Sequence, residues 1–329
     1  MRRSVALVLV LCLVASFAFA QGTQEQVVEQ VRYGELDPMY VDKDGDMVAD
    51  APADSQQWLD PDTLVFAYAP VEDPAVYEEV FVDFQKHLEA KTGKKVRWFA
   101  VTSYATQIEA MRAGRLHVSG FAAGTVQDAV NTGGFVPMVI MGAETGMTGY
   151  KMAIIAHKDS GIKTIDDLRG KTIAFVSESS NSGYSAPRAI LYDQFKMLPT
   201  KDYQVAFSGK HDNSIAGVFN GDYDAGAIAD TVLQRMVAGN RVPDPAEWMT
   251  LIFESQTFPP TAWGVNYRIN PDLQAKIRDA FLSYNWAGTL MKETWPENDR
   301  FITVNYEKDY AITRAIRTGS EEVAKLLGE

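Results

Sequence analysis

Cysteine, histidine and positive charge are all scarce in this sequence. One of its 329 residues is cysteine (Cys12) and four are histidine. A single cysteine closes no disulfide within the chain, so apolar burial has to hold the fold. No two histidines stand at metal-pair spacing, and H-E-x-x-H is missing. G-x-S-x-G is missing too: Gly183-Tyr184-Ser185-Ala186-Pro187 departs at its last position. With 31 basic against 43 acidic side chains, the formal charge is −12. Nucleic-acid backbones are bound through basic patches, so no nucleic-acid partner is expected. After residue 20 no apolar run approaches the roughly 20 residues of a membrane-spanning helix. The remaining composition, 46% hydrophobic and 22% charged, excludes disorder, collagen and coiled coil. The length suits two domains or one large one.

Residues 1–20 read as an export signal. Arg2 and Arg3 precede an apolar run from Val5 to Val14, and Ala18-Phe19-Ala20 offers an A-x-A cleavage site. Cleavage after Ala20 takes the charge from −12 to −14 and removes Cys12. An uncleaved N-terminal anchor is the alternative. Acylation of Cys12 is not expected, because bulky Leu9-Val10-Leu11 precedes it where a lipobox wants a small residue. Residues 21–62 are polar, acidic and poorly periodic, which suggests a leader or surface extension. Within them Asp42, Asp44, Asp46 and Asp50 fall at relative positions 1, 3, 5 and 9 of a calcium-loop pattern. Met47 and Ala53 occupy the places of the pattern's Gly and Glu, so a solvated acidic turn competes with a calcium site.

From Thr63 onward strand and helix signals alternate, which predicts an α/β fold with mainly parallel sheet. Strands are expected at 64–68, 95–99, 116–121, 152–156, 172–176, 205–208, 225–229 and 264–267. Helices are expected at 76–91, 104–113, 184–196, 213–220 and 271–285. The rhythm restarts near residue 152, as it would for two α/β units facing a cleft.

Three loops could carry chemistry. In the first, strand 172–176 runs through Ser177-Glu-Ser-Ser-Asn-Ser-Gly183 into a helix. Free N–H groups at that helix start favour an anion, and Ser180, Asn181 and Ser182 can add side-chain donors. Plain N-capping by Ser182 is the alternative. In the second, His211 opens a helix and can donate to an anion, gaining positive charge as it does so; it could instead cap its own helix or pair with Asp212. In the third, Asp230 ends a small apolar strand, where ligands sit in open α/β sheets, or caps the next helix. Tyr104 and Tyr150 place hydroxyls at loop junctions for a cleft rim, against ordinary interior packing. A secreted hydrolase using Ser182 or Ser185 with His211 is a competing reading.

Several segments together resemble the periplasmic solute-binding proteins of phosphonate, phosphite and phosphate ABC importers. They are Tyr104-Ala-Thr-Gln-Ile-Glu-Ala-Met-Arg-Ala-Gly114, His157 to Lys171, Ser179-Ser-Asn-Ser-Gly-Tyr184, Ser208-Gly-Lys-His-Asp212 and Asn220-Gly-Asp-Tyr-Asp-Ala225. The resemblance runs from about Thr63 to about Leu327. It implies a type II periplasmic binding protein fold, two α/β lobes joined by a hinge with the ligand cleft between them. The lobes would be 63–156 with 262–329, and 157–261. It further implies that Ser180, Asn181 and Ser182, with the amides of Gly183 and Tyr184, hold the anion's oxygens, Asn181 replacing the family's threonine. Tyr104, Tyr150 and His211 would complete the donors, and Asp230 would accept from a protonated oxygen, disfavouring sulfate. Family members that bind aminoalkylphosphonates carry a second acid, and Glu254, the nearest one here, is out of register. The expected partners are a small phosphorus oxyanion and a membrane permease, with the chain monomeric and cofactor-free. A binding protein of the same fold that feeds a sensor would share every one of these residues.

Overall fold

A computed structural model describes residues 36–329. The expected signal peptide and residues 21–35 lie outside the described residues. Residues 36–62 are not a loose extension. Tyr40 is buried edge-on against Tyr267 and donates its hydroxyl to the Thr132 carbonyl at 3.0 Å. Arg112 holds Asp37 at 3.1 Å, Leu59 N–H donates to the Arg268 carbonyl, and Val48 joins a core cluster. Single apolar residues spaced through acidic text make this contact, so no periodicity announced it.

Two mixed sheets form the body. The first contains β1 (Thr63–Tyr68), β2 (Lys95–Trp98), β3 (Val118–Phe121), β4 (Phe135–Ala143), β11 (Ala262–Asn266) and β12 (Arg300–Thr303), in the order β12-β4-β11-β3-β1-β2. The short β5 (Gly146–Met147) pairs with β4. The second contains β6 (Tyr150–His157), β7 (Thr172–Phe175), β8 (Gln204–Phe207), β9 (Ala225–Ala229) and β10 (Met249–Phe258), in the order β10-β6-β9-β7-β8.

The parallel pairs are β1 with β2 and β3, and β7 with β8 and β9. Helical crossovers join these strands, and crossovers enforce parallel pairing. The strands that arrive from the other sheet, β6 and β11, run antiparallel to both neighbours. The expectation of mainly parallel sheet therefore fails at each change of lobe.

Two further placements differ from expectation. Residues 150–156, expected with the first lobe, belong to β6 of the second sheet, and the chain changes lobe at Gly149. Gly149 has φ 128°, and a Cβ there would lie 2.6 Å from Thr257 Cγ2. The C-terminal helix Ala311–Leu327, expected with the first lobe, leans on the second. Its Ile312 and Ile316 pack on that core, and a Cβ at Gly319 would touch Ala189 at 3.3 Å. Its Arg317 reaches back to Asp128 of the first lobe at 2.9 Å.

Five helices position the cleft: α1 (Tyr104–Arg112), α2 (Ala123–Gly133), α3 (Ala186–Phe195), α4 (His211–Asn220) and α5 (Asp230–Ala238). Ser103 starts α1 by accepting from Thr106 N–H at 3.2 Å. Beneath the first sheet, Phe66 stacks on Trp263 at 5.6 Å, with Phe81, Phe84, Phe281 and Phe301 around them. Fully burying each such side chain contributes about 1.5–3 kcal/mol, which compensates for the missing disulfides.

Candidate functional site

Strand ends and helix starts from both lobes meet at a cleft of about 80 Å³. Its lining includes Tyr104 and Ala122 to Gly124 from the first lobe, and Tyr150, Ser180, Asn181, Ser182 and His211 from the second. Six of the nine ligand residues expected from sequence are thus together.

The loop after β7 enters α3 through a wide turn, Asn181–Ser185, in which Ser185 N–H reaches the Ser180 carbonyl at 3.0 Å. Such one-turn widenings recur at functional sites. Gly183 is required in it, since a Cβ would sit 2.5 Å from Val176 Cβ. Ser180, not Ser182, is the cap: its Oγ accepts from Gly183 N–H at 3.0 Å. The Ser182 hydroxyl is therefore not spent on capping. The N–H groups of Asn181 and Ser182 open the turn and precede any intrahelical acceptor.

Asn181 Nδ2 donates to the Tyr150 hydroxyl at 3.0 Å, which leaves the tyrosine's own proton for another acceptor. Burial pushes the Tyr150 pKa up to about 12 against the hydrogen bonds from Asn181 and Ser182, and burial also raises that of Tyr104. Both are donors at neutral pH.

His211 departs from expectation in its charge. Its Nδ1 accepts from Ala229 N–H at 3.1 Å, so Nε2 carries the proton, 3.4 Å from Ser180 Oγ. Burial pushes its pKa down to about 4. It is a neutral donor, and it gains no charge near pH 7. It neither caps its own helix nor pairs with Asp212, whose carboxylate stands 3.5 Å from Arg241.

Three expected residues lie outside the lining. Asp230 Oδ1 accepts from Lys151 N–H at 2.9 Å and Thr231 N–H at 2.7 Å, so it pins β6 to the first turn of α5. The carboxylate that does line the cleft is Glu297. The Gly183 N–H is taken by Ser180. Tyr184 turns its hydroxyl to Arg188 and its ring to Phe207, away from the cleft.

Sequence reasoning missed Ala122 to Gly124, Arg235, Trp295, Glu297 and Asn298. Helix α2 follows Ala122 with no side-chain cap, so its first N–H groups open towards the cleft. Its Gly124 touches the opposite lobe: a Cβ there would overlap Asn181 N and stand 2.6 Å from the Ser179 carbonyl oxygen. Two helix starts face each other across the cleft. The run Phe121-Ala-Ala-Gly, a strand end followed by small residues, was the available signal.

In the N-terminal segment Asp42, Asp44 and Asp46 place one carboxylate oxygen each within 4.8 Å of the others. Asp42 already accepts from Gly45 and Met47 N–H, Asp46 from Val48 N–H, and Asp50 from Lys43 N–H. Such bonds suit a solvated acidic turn and a calcium loop alike, and Asp50 lies outside the triad.

The family described as ABC transporter, phosphonate, periplasmic substrate-binding protein matches residues 66–310. The phosphate-import protein PhnD of Mycolicibacterium smegmatis is 26% identical over 248 residues, 73% of this chain and 77% of the relative. A probable ABC transporter phosphite-binding protein of Prochlorococcus marinus, PhnD1, is 26% identical over 195 residues, 56% of this chain and 64% of the relative. The structure of PhnD1 from Prochlorococcus marinus in complex with methylphosphonate superposes with a TM-score of 0.67 at 20% identity, over 78% of this chain and 97% of that one. A binding-protein component of a phosphonate transporter from Pseudomonas aeruginosa gives 0.66 at 20% identity, over 82% and 99%. The fold is the two-lobed type II architecture of periplasmic binding proteins. The chain belongs to the periplasmic substrate-binding proteins of phosphonate ABC transporters.

Proposed function

We propose that the cleft captures a small phosphorus oxyanion (a phosphonate, phosphite or phosphate) and that the protein delivers it as a monomer to a membrane permease. The supporting observation is the meeting of Ser180, Asn181 and Ser182 with the protonated Tyr104 and Tyr150 and the neutral Nε2–H of His211. Each offers a donor and none brings a positive charge. A tetrahedral anion with several oxygens uses converging donors from both lobes at once, and binding then favours closure. The volume, about 80 Å³, is room for roughly three water molecules, which fits an anion of a few heavy atoms. A mature charge of −14 does not oppose this, since salt screens the global field beyond about 8–10 Å. Delivery from the periplasm requires export, for which residues 1–20, removed after Ala20, are the signal. The reading invokes no cofactor.

Binding is favoured over hydrolysis by the His211 tautomer. A base for a serine needs an unprotonated Nε2, and the Ala229 N–H on Nδ1 puts the proton there instead.

Calorimetric titration of refolded, ligand-stripped protein (residues 21–329) tests the reading, with phosphite, phosphate, methylphosphonate, 2-aminoethylphosphonate and sulfate. Micromolar or tighter binding to a phosphorus oxyanion, lost in the Ser182→Ala/His211→Ala double variant, is expected. No heat with any of them overturns the ligand class while leaving the fold untouched.

A further inference from the structure

Among the described residues Arg235 is the one permanently cationic side chain lining the cleft, and its position is set from the opposite lobe. From α5 of the second lobe its Nε donates to Glu72 Oε2 at 2.7 Å and its Nη2 to the Tyr77 hydroxyl at 3.3 Å. Its guanidinium stands 6.0 Å from the Trp295 ring centre, within cation–π range. Glu72, Tyr77 and Trp295 all belong to the first lobe.

Glu72 is fully buried, and it also accepts from Tyr77 and from Arg241 of the second lobe. Burial drives its pKa up, yet Arg235, Tyr77 and Arg241 outweigh burial and hold the carboxyl below the usual range. Arg241 in turn faces Asp212 at 3.5 Å. Both arginine bonds to Glu72 cross from the second lobe to the first. Among the described residues Nη1 of Arg235 donates to no group, and the side chain lines both the cleft and a neighbouring cavity that it shares with Arg241, Trp295 and Glu297.

We infer that Arg235 is a ligand-facing cation and that Glu72 positions it across the cleft, so that one ion cluster both completes the anion site and favours the closed form. Its ligand-facing half rests on the anion reading above; the closure half does not. A different role for Glu72 makes the opposite prediction. Were Glu72 only a competitor for Arg235, neutralising it would free the guanidinium and tighten anion binding.

The test compares wild type with Glu72→Gln, Arg235→Gln and Arg241→Gln. Kd and koff are measured for methylphosphonate and phosphate, and small-angle scattering is recorded without ligand. Glu72→Gln and Arg235→Gln should each raise Kd at least about tenfold, as loss of a buried charge partner does, with Glu72→Gln acting through faster release. Ligand-free Glu72→Gln should scatter with a larger radius of gyration than wild type. Arg241→Gln, altering a partly exposed partner, should shift both readouts the same way by less, and it carries the test if Glu72→Gln does not fold. Affinity unchanged or improved in Glu72→Gln, affinity retained in Arg235→Gln, or scattering identical to wild type overturns the inference. Should wild type bind neither anion, the proposed function fails on its own, and the scattering comparison still decides whether Glu72 holds the lobes together.

Discussion

Gly124→Ala separates closure from folding. Gly124 lies in the first turn of α2 without a positive φ, so alanine suits its backbone, and helix propensity favours alanine over glycine by up to about 1 kcal/mol. The obstacle is the other lobe. The new methyl would stand 2.6 Å from the Ser179 carbonyl oxygen and overlap Asn181 N, whereas ordinary contact begins at 3.4 Å. The nearer obstacle is Asn181 N, so the lobes must part by about 1.1 Å at this point, and both obstructing atoms are backbone. A 2.9 Å hydrogen bond stretched to about 4.0 Å is no longer one. An anion held by the second lobe would lose its bonds from the first, those of the Tyr104 hydroxyl and the first N–H of α2. Two bonds to a charged group at roughly 1.5–3 kcal/mol each amount to about 3–6 kcal/mol, or some 10²–10⁴ in Kd. Calorimetry on wild type and variant, with thermal melts beside it, checks the claim. The expected result is a melting temperature equal or higher and an affinity at least a hundredfold weaker. Affinity within about threefold of wild type would show that first-lobe donors are not part of the site.

Gly264→Ala supplies the contrast: its Cβ would lie 2.8 Å from Val136 C inside the first sheet, so loss of soluble folded protein is expected, seen by circular dichroism. His211 makes stability pH-dependent. Its folded pKa is about 4, below the 6.5 of a free histidine, so between those values the unfolded chain binds more protons and stability falls as pH falls, by up to about 3 kcal/mol. Urea unfolding between pH 4.5 and 7.5 should show that slope in wild type and a shallower one in His211→Asn. Asp230→Asn keeps an oxygen for Lys151 and Thr231 N–H, so both the anion ranking, sulfate included, and the melting temperature should stay unchanged. Asp230→Ala should cost about 1–2 kcal/mol of stability. Altered discrimination against sulfate in a titration of Asp230→Asn would return that carboxylate to the cleft.

The elements most legible in the sequence are those whose signal is local. β1, β7 and β9 are short apolar runs with turn residues close by, and each lies where its run predicts. The turn at Ser180 to Ser182 is equally local: a strand, a stretch of small donors and a glycine that only close packing on Val176 demands. β6 and β11 were less legible in direction, because a strand's neighbours are chosen by where the chain crosses between lobes. The site residues divide in the same way. A position beside the cleft follows from a strand end, and this reasoning reached both His211 and Asp230. What each side chain does there depends on a backbone N–H brought by another strand or helix. Ala229 supplies one to His211 and makes it a neutral donor; Lys151 supplies one to Asp230 and takes that carboxylate out of the cleft. Arg235 is the extreme case. On its own helix it reads as one more surface arginine, and only Glu72, from the opposite lobe, turns it inward to the site. A residue's address in a two-lobed protein is therefore written locally, while its charge and orientation are written by whatever meets it across the fold.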